Sequence, residues 1–150
     1  MLQSAIAKLA RTLPADQVSA HCDGPCGVYD PASARIAAEA ALSMTKKLLD
    51  AGPATTVDAQ NTQSRYITIK EEQAHIAKEE LLVLWTDYFK PPHLEDYPEL
   101  HTTFWNAAKL CSEVKVHVSL EKAEALMAAI EEIHNIFWAT KGREVTYYTT

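Results

Sequence analysis

His21-Cys22-Asp23-Gly24-Pro25-Cys26-Gly27-Val28-Tyr29-Asp30-Pro31 gathers two of the chain's three cysteines, a histidine, two of its four glycines and two prolines. Two thiols and an imidazole this close point to a soft or borderline metal ion. Sulfur and imidazole nitrogen favour copper, zinc, iron or nickel over magnesium or calcium. Gly24-Pro25, between the cysteines, predicts a tight turn that brings both sulfurs to one ion. The same peptide bond is a candidate for the cis isomer. The stretch ends by opening a helix. Asp30 supplies an N-cap carboxylate, and Pro31 suits the first helical position because the N–H it lacks would have no partner there.

From Pro31 the spacing predicts a helix to about Asp50, with Ala37, Ala41, Met44 and Leu48 on one face and Gly52-Pro53 as its stop. A polar linker rich in Thr, Asn and Gln follows. A second helix, roughly 62–88, carries Ala74, Ala77, Leu81, Leu84 and Tyr88 at spacings of three and four, and Lys90-Pro91-Pro92 ends it. Leu100, Phe104, Ala107, Cys111 and Val114 mark a third helix. Ser119 is the N-cap of a fourth, whose seam is Ala123, Leu126, Ile130, Ile133 and Phe137 and whose stop is Gly142. Residues 143–150 read as a tail, with an ambiguous strand pattern over 144–148. Four helices with one apolar seam each and short connections predict an all-α chain: an antiparallel up-and-down four-helix bundle with an N-terminal metal-binding hook.

The composition agrees. The 150 residues suit one domain, long enough to bury roughly 68–70% of its unfolded surface. No apolar run approaches the ~20 residues of a membrane span. A net charge of −6 argues against nucleic acid or an anionic membrane as partner. An odd count of three cysteines does not suggest a disulfide framework, so Cys22 and Cys26 read as ligands in a reducing, cytoplasmic setting.

Residues 1–20 form a short amphipathic segment with Leu2, Ile6, Leu9 and Leu13 at helical spacing. Lys8, Arg11 and Asp16 interrupt it, so it lacks the continuous apolar core of a secretory signal. Taken alone it reads as an ordinary N-terminal helix. Ser19-Ala20, just before His21, resembles a processing site.

The run from His21 to Pro31 resembles the nickel hook of the nickel-containing superoxide dismutases, H-C-D-x-P-C-G-x-Y-D-P, at every fixed position. Leu84-Trp85-Thr86-Asp87-Tyr88-Phe89-Lys90-Pro91-Pro92-His93 with Tyr97-Pro98-Glu99-Leu100-His101 resembles a second block of that family. The segments around Ile69-Lys70-Glu71 and Ile136-Phe137-Trp138 do so too. The resemblance implies one nickel ion per subunit and dismutation of superoxide to dioxygen and hydrogen peroxide. It implies removal of residues 1–20 by a leader-processing protease, a hook over 21–30, a bundle with a short tail over 31–150, and a cytoplasmic homohexamer. The mature chain would be one unit more negative than the precursor, because the leader holds two cations and one anion.

By the same resemblance, Cys22 and Cys26 give two sulfurs, the Cys22 amide a third donor and the His21 α-amine a fourth, with the His21 imidazole axial. The α-amine is a donor only once the Ala20–His21 bond is cut, since an amide nitrogen's lone pair is delocalised. Tyr29 stands over the metal in the family, controlling substrate approach and proton supply. Tyr88 and Lys90 line the approach, Asp23 belongs to the hook and Pro25 shapes it. The chain departs from the pattern at Ala37 and Gln73, where the family carries an acidic residue and an arginine that orient the imidazole. Either Glu39 or a water replaces them, or the imidazole is held more loosely.

The remaining histidines, His75, His93, His101, His117 and His134, never stand three or four residues from one another and read as surface or capping groups. Cys111, on a seam, reads as a buried thiol. The glutamates of the second helix lack a histidine three residues on, so a di-iron site fits poorly. Two competing functions use the same thiols: a non-catalytic metal carrier or sensor, and a thiol redox protein working through Cys22 and Cys26.

Overall fold

The computed structural model describes residues 27–150, so the expectations for the leader and for the hook from His21 through Cys26 lie outside the described residues. Helix α1 spans Ala32–Ala51 and α2 spans Val57–Val83, which runs into a π-helical turn, Leu84–Tyr88. A short α3, Pro91–Asp96, leads to α4, Leu100–Val116, and α5, Leu120–Thr140. There is no strand among the described residues. The ambiguous 144–148 segment is extended chain.

The expected caps form. Asp30 Oδ1 accepts from the Ala32 N–H at 2.9 Å, and Ser119 Oγ accepts from the Lys122 N–H at 3.3 Å. Gly52 and Gly142 end α1 and α5 at φ of 60° and 65°, a conformation costly for any residue with a Cβ. The polar linker, in contrast, is mostly helix. Thr56 caps α2 by accepting from the Ala59 N–H, so the helix begins at Val57, ahead of the start expected near residue 62. The proline corner also holds a helix of its own, because Pro91 and Pro92 occupy the first-turn positions that need no N–H donor.

Four long helices pack as a ring: α1 against α2 and α5, and α4 against α2 and α5. Short links, 52–56 and 117–119, make their neighbours antiparallel. Alanines face one another between α1 and α2, with Ala34, Ala37, Ala38, Ala41, Ala74 and Ala77 all buried, so these two helices can approach closely. Larger side chains, Phe104, Leu126, Ile130, Ile133 and Phe137, fill the α4–α5 half. None of the described helices is long and apolar enough to cross a membrane.

Two buried polar groups hold the ends of this bundle. Lys70, 2% exposed, reaches from α2 to the end of α4, where its ammonium donates to the carbonyls of Val114 and Lys115 at 2.5 and 2.8 Å. It thereby satisfies carbonyls that the helix terminus leaves open. Burial lowers its pKa from the ordinary lysine value, with Glu71 opposing the shift. Lys70→Met keeps the apolar stem and deletes the ammonium. It should cost about 2–3 kcal/mol in denaturant unfolding, since these are charge-assisted bonds. A loss below about 0.5 kcal/mol would show that water replaces the ammonium.

The second group is His134. It is buried rather than a surface or capping residue, and its Nε2 lies 2.7 Å from the Val145 carbonyl oxygen. The tail explains this. Residues 143–150 fold back across α1 and α5, where the Tyr147 hydroxyl donates to Met127 O and the Tyr148 ring lies 4.4 Å from the Arg35 guanidinium. A tail covering the helix turns its histidine from a surface position into an interior one.

Candidate functional site

Of the expected site residues, Tyr29, Tyr88 and Lys90 are described, while His21, Cys22, Asp23, Pro25 and Cys26 are not. Tyr29 and Tyr88 meet where the chain enters α1, and Lys90 follows Tyr88 by two residues. That entry is tied to the bundle by Asp30 and, one turn on, by Ser33, whose hydroxyl donates to Glu80 of α2 at 2.6 Å.

Tyr29 meets Tyr88 with ring centroids 5.5 Å apart and planes at 53°. The π-helical turn makes this contact possible. A regular helix would carry the α2 seam from Leu81 and Leu84 to Tyr88. Instead the Phe89 N–H bonds back five residues to Leu84 O at 3.2 Å, which inserts one residue into the turn. Phe89 consequently takes the buried position and packs at 5.3 Å on Phe104. Tyr88, expected on the seam, is rotated partly out of it and remains half-buried.

Around Tyr88 the side chains are ordered on every side. Phe137 lies 4.5 Å from its ring, His93 stacks on it at 5.6 Å and 16°, and the Lys141 ammonium sits 4.8 Å over it. Its hydroxyl is 2.6 Å from Thr140 Oγ1. Thr140 and Lys141 are functional neighbours that the sequence reading missed. A basic residue just past a helix terminus is a signal in itself, but only the fold places it over a tyrosine in another helix. His93 does cap, as expected: its Nδ1 accepts from the Lys90 N–H at 3.0 Å at the start of α3. Lys90 is exposed and lines a cleft of about 400 Å³ with Trp85, Phe89 and His101.

Glu39, the candidate replacement for the missing acidic residue, already has partners on both carboxylate oxygens. Its Oε2 accepts from Arg35 at 3.1 Å, and its Oε1 accepts from the Thr150 N–H and hydroxyl at 2.5 and 2.7 Å. The Thr150 hydroxyl, then its N–H and the Arg35 charge, lower the Glu39 pKa despite partial burial. One carboxylate oxygen is therefore taken by Arg35 and the other by the tail. Ala37 is 3% exposed within the core, and Gln73 is half-buried on α2.

Among the described residues no group of three histidine, cysteine, aspartate or glutamate side chains is arranged to hold a metal ion. Cys111 is unsuited to ligation. It is fully buried, and burial pushes its thiol up to about 12, so it remains protonated at neutral pH. The chain's other two cysteines, Cys22 and Cys26, lie with His21 outside the described residues.

Residues 16–141 match the family described as nickel-containing superoxide dismutase, a range that takes in the His21–Cys26 stretch and excludes the tail. The superoxide dismutase [Ni] of Streptomyces seoulensis is 46% identical over 128 residues, covering 85% of this chain and 93% of its own. That of Streptomyces coelicolor is 45% identical over the same shares. A native nickel superoxide dismutase crystal structure matches at a TM-score of 0.74 and 41% identity, covering 82% of this chain and all of that one. The extent of the family match, the level of identity and the shared fold together make this chain a member of the nickel-containing superoxide dismutase family.

Proposed function

We propose that the chain is a nickel-dependent superoxide dismutase that works as residues 21–150 once residues 1–20 are removed. His21, Cys22 and Cys26 hold one nickel ion per subunit. The donor set carries this reading: two thiols and an imidazole within six residues, inside the matched family range, in a chain whose third cysteine is a buried, protonated thiol. Bound nickel supplies one-electron cycling, by which one superoxide is oxidised to dioxygen and the next is reduced to hydrogen peroxide with uptake of two protons.

The protein residues divide the remaining work. Cys22 and Cys26 lend anionic sulfur, and the His21 α-amine adds a neutral donor with a reference pKa of about 7.7–8.0, so it deprotonates readily near neutrality. Asp23 and Pro25 shape the hook. Tyr29, held against Tyr88, narrows the way in and brings its phenol to the place where protons are consumed. Lys90 places a cation at that entrance, which matters because the substrate is an anion and the chain carries a net charge of −6.

The subunit acts as part of a homohexamer in the cytoplasm. Exposed apolar side chains on several elements, Val28 before α1, Ile36 on α1 and Trp105 on α4, suit burial between copies. A ten-residue hook has too little apolar surface to order itself, so metal and a neighbouring subunit would complete it.

The test is reconstitution of protein trimmed to begin at His21 with nickel or with zinc. Dismutase activity with nickel alone is expected. In the nickel form, Lys90→Gln should lower kcat/KM several-fold at low ionic strength, and the difference should shrink as salt screens the charge. An inactive protein that retains either metal equally would favour a carrier. A reversible Cys22–Cys26 disulfide without metal uptake would favour a thiol redox protein.

A further inference from the structure

The bonds beneath Tyr88 decide where its phenolic proton goes. Thr140 Oγ1 lies 2.6 Å from Phe137 O and 2.6 Å from the Tyr88 hydroxyl. A threonine hydroxyl has one proton to donate, and a carbonyl oxygen can only accept. The Thr140 proton therefore goes to Phe137 O. The helix end reinforces this assignment. In a continuing helix the Lys141 N–H would bond Phe137 O, but here it turns to Trp138 O at 3.1 Å. The Thr140 side chain takes over the carbonyl left open by the terminus. The one role remaining to Tyr88 in this pair is donation, so its O–H points at Thr140 Oγ1 and its lone pairs remain to accept.

We propose that Thr140 is a positioning residue for the dismutase site: it takes the Tyr88 proton and so holds that phenol as a hydrogen-bond acceptor at the Tyr29–Tyr88 contact. Its meaning for catalysis rests on the proposed dismutase reading. The Lys141 ammonium over the ring face, at 4.8 Å, leaves the hydroxyl to Thr140. As an acceptor, Tyr88 orients a donor such as water or a protonated oxygen species. It does not hydrogen-bond to the superoxide anion, so the proton that anion needs comes from another group. The two tyrosines consequently have different tasks although they lie side by side.

The experiment uses the metal-free full chain first. Ultraviolet resonance Raman spectra report, through the tyrosine doublet, whether a phenol donates or only accepts. Subtracting the Tyr88→Phe spectrum isolates Tyr88. A donor signature is expected in the wild type and in Thr140→Ser, and its loss in Thr140→Val. After trimming and nickel loading, with nickel content equal across the set, Thr140→Val should lower kcat several-fold with KM little changed. Thr140→Ser should restore it. An acceptor-only signature in the wild type overturns the proposal, as does a Thr140→Val signature equal to wild type or an unchanged kcat in that variant. Should Thr140→Val fail to fold, the wild-type difference spectrum decides alone. If the Raman pattern holds but the nickel-loaded wild type is inactive, the dismutase reading fails and the bond assignment stands.

Discussion

Cys22→Ser and Cys26→Ser should each abolish dismutase activity while leaving helix content close to that of the parent. A serine hydroxyl is not ionised at neutral pH and is a hard donor, so either change removes one of the two anionic sulfurs that make nickel's one-electron oxidation accessible. Even the loss of a group that merely orients a metal ligand costs 10–100-fold, so loss of a ligand should cost at least about 100-fold. The helices should not notice. The described core begins at Ala34 on α1 and draws on all four long helices. Cys111→Ser is the internal control: it sits on that core, fully buried, and should lower stability while leaving turnover unaffected. Circular dichroism with activity and nickel content separates these outcomes. Retained activity in either hook variant would remove the two-thiolate account.

The second large effect concerns the leader. The intact 150-residue precursor should fold its bundle yet be inactive, and cleavage between Ala20 and His21 should switch it on. Ligation by the His21 α-amine requires that no peptide bond precede it, because an amide nitrogen in its place has a delocalised lone pair. Three nickel-treated proteins test this: the precursor, a chain beginning at His21 and a chain beginning at Ala20. Strong activity is expected from the His21 start alone. An Ala20 start of equal activity would show that the amine is not a ligand, since it differs by one residue.

How much of this could be read from the residues depends on whether a signal is local. Asp30-Pro31, Ser119 and Gly142 are local punctuation, and the helices begin and end where these residues dictate. The seam of Leu100, Phe104, Ala107, Cys111 and Val114 is a periodic signal, and all five are buried. The start of α2 was hidden because Thr56 caps a polar first turn, where apolar periodicity has nothing to detect. The π-helical turn broke the period itself, exchanging Phe89 for Tyr88 in the core. Contacts between distant segments left no trace in spacing. Lys70 under the end of α4 and Lys141 above Tyr88 join residues far apart in sequence, and the tail reaches His134 only by folding back on its own helix. Of the site, the proposed metal donors stand out in the sequence because their residue types are rare and closely spaced. The groups around Tyr88 do not, because three separate elements supply them.

The central claim, that His21, Cys22 and Cys26 form a redox-active nickel site, is tested most directly by electron paramagnetic resonance of the chain beginning at His21 after nickel addition. The account predicts a rhombic nickel(III) signal split by one axial nitrogen, with the splitting removed in His21→Ala and the whole signal absent in Cys22→Ser. Bound nickel that gives no nickel(III) signal, or a signal whose splitting persists without the His21 imidazole, would contradict it.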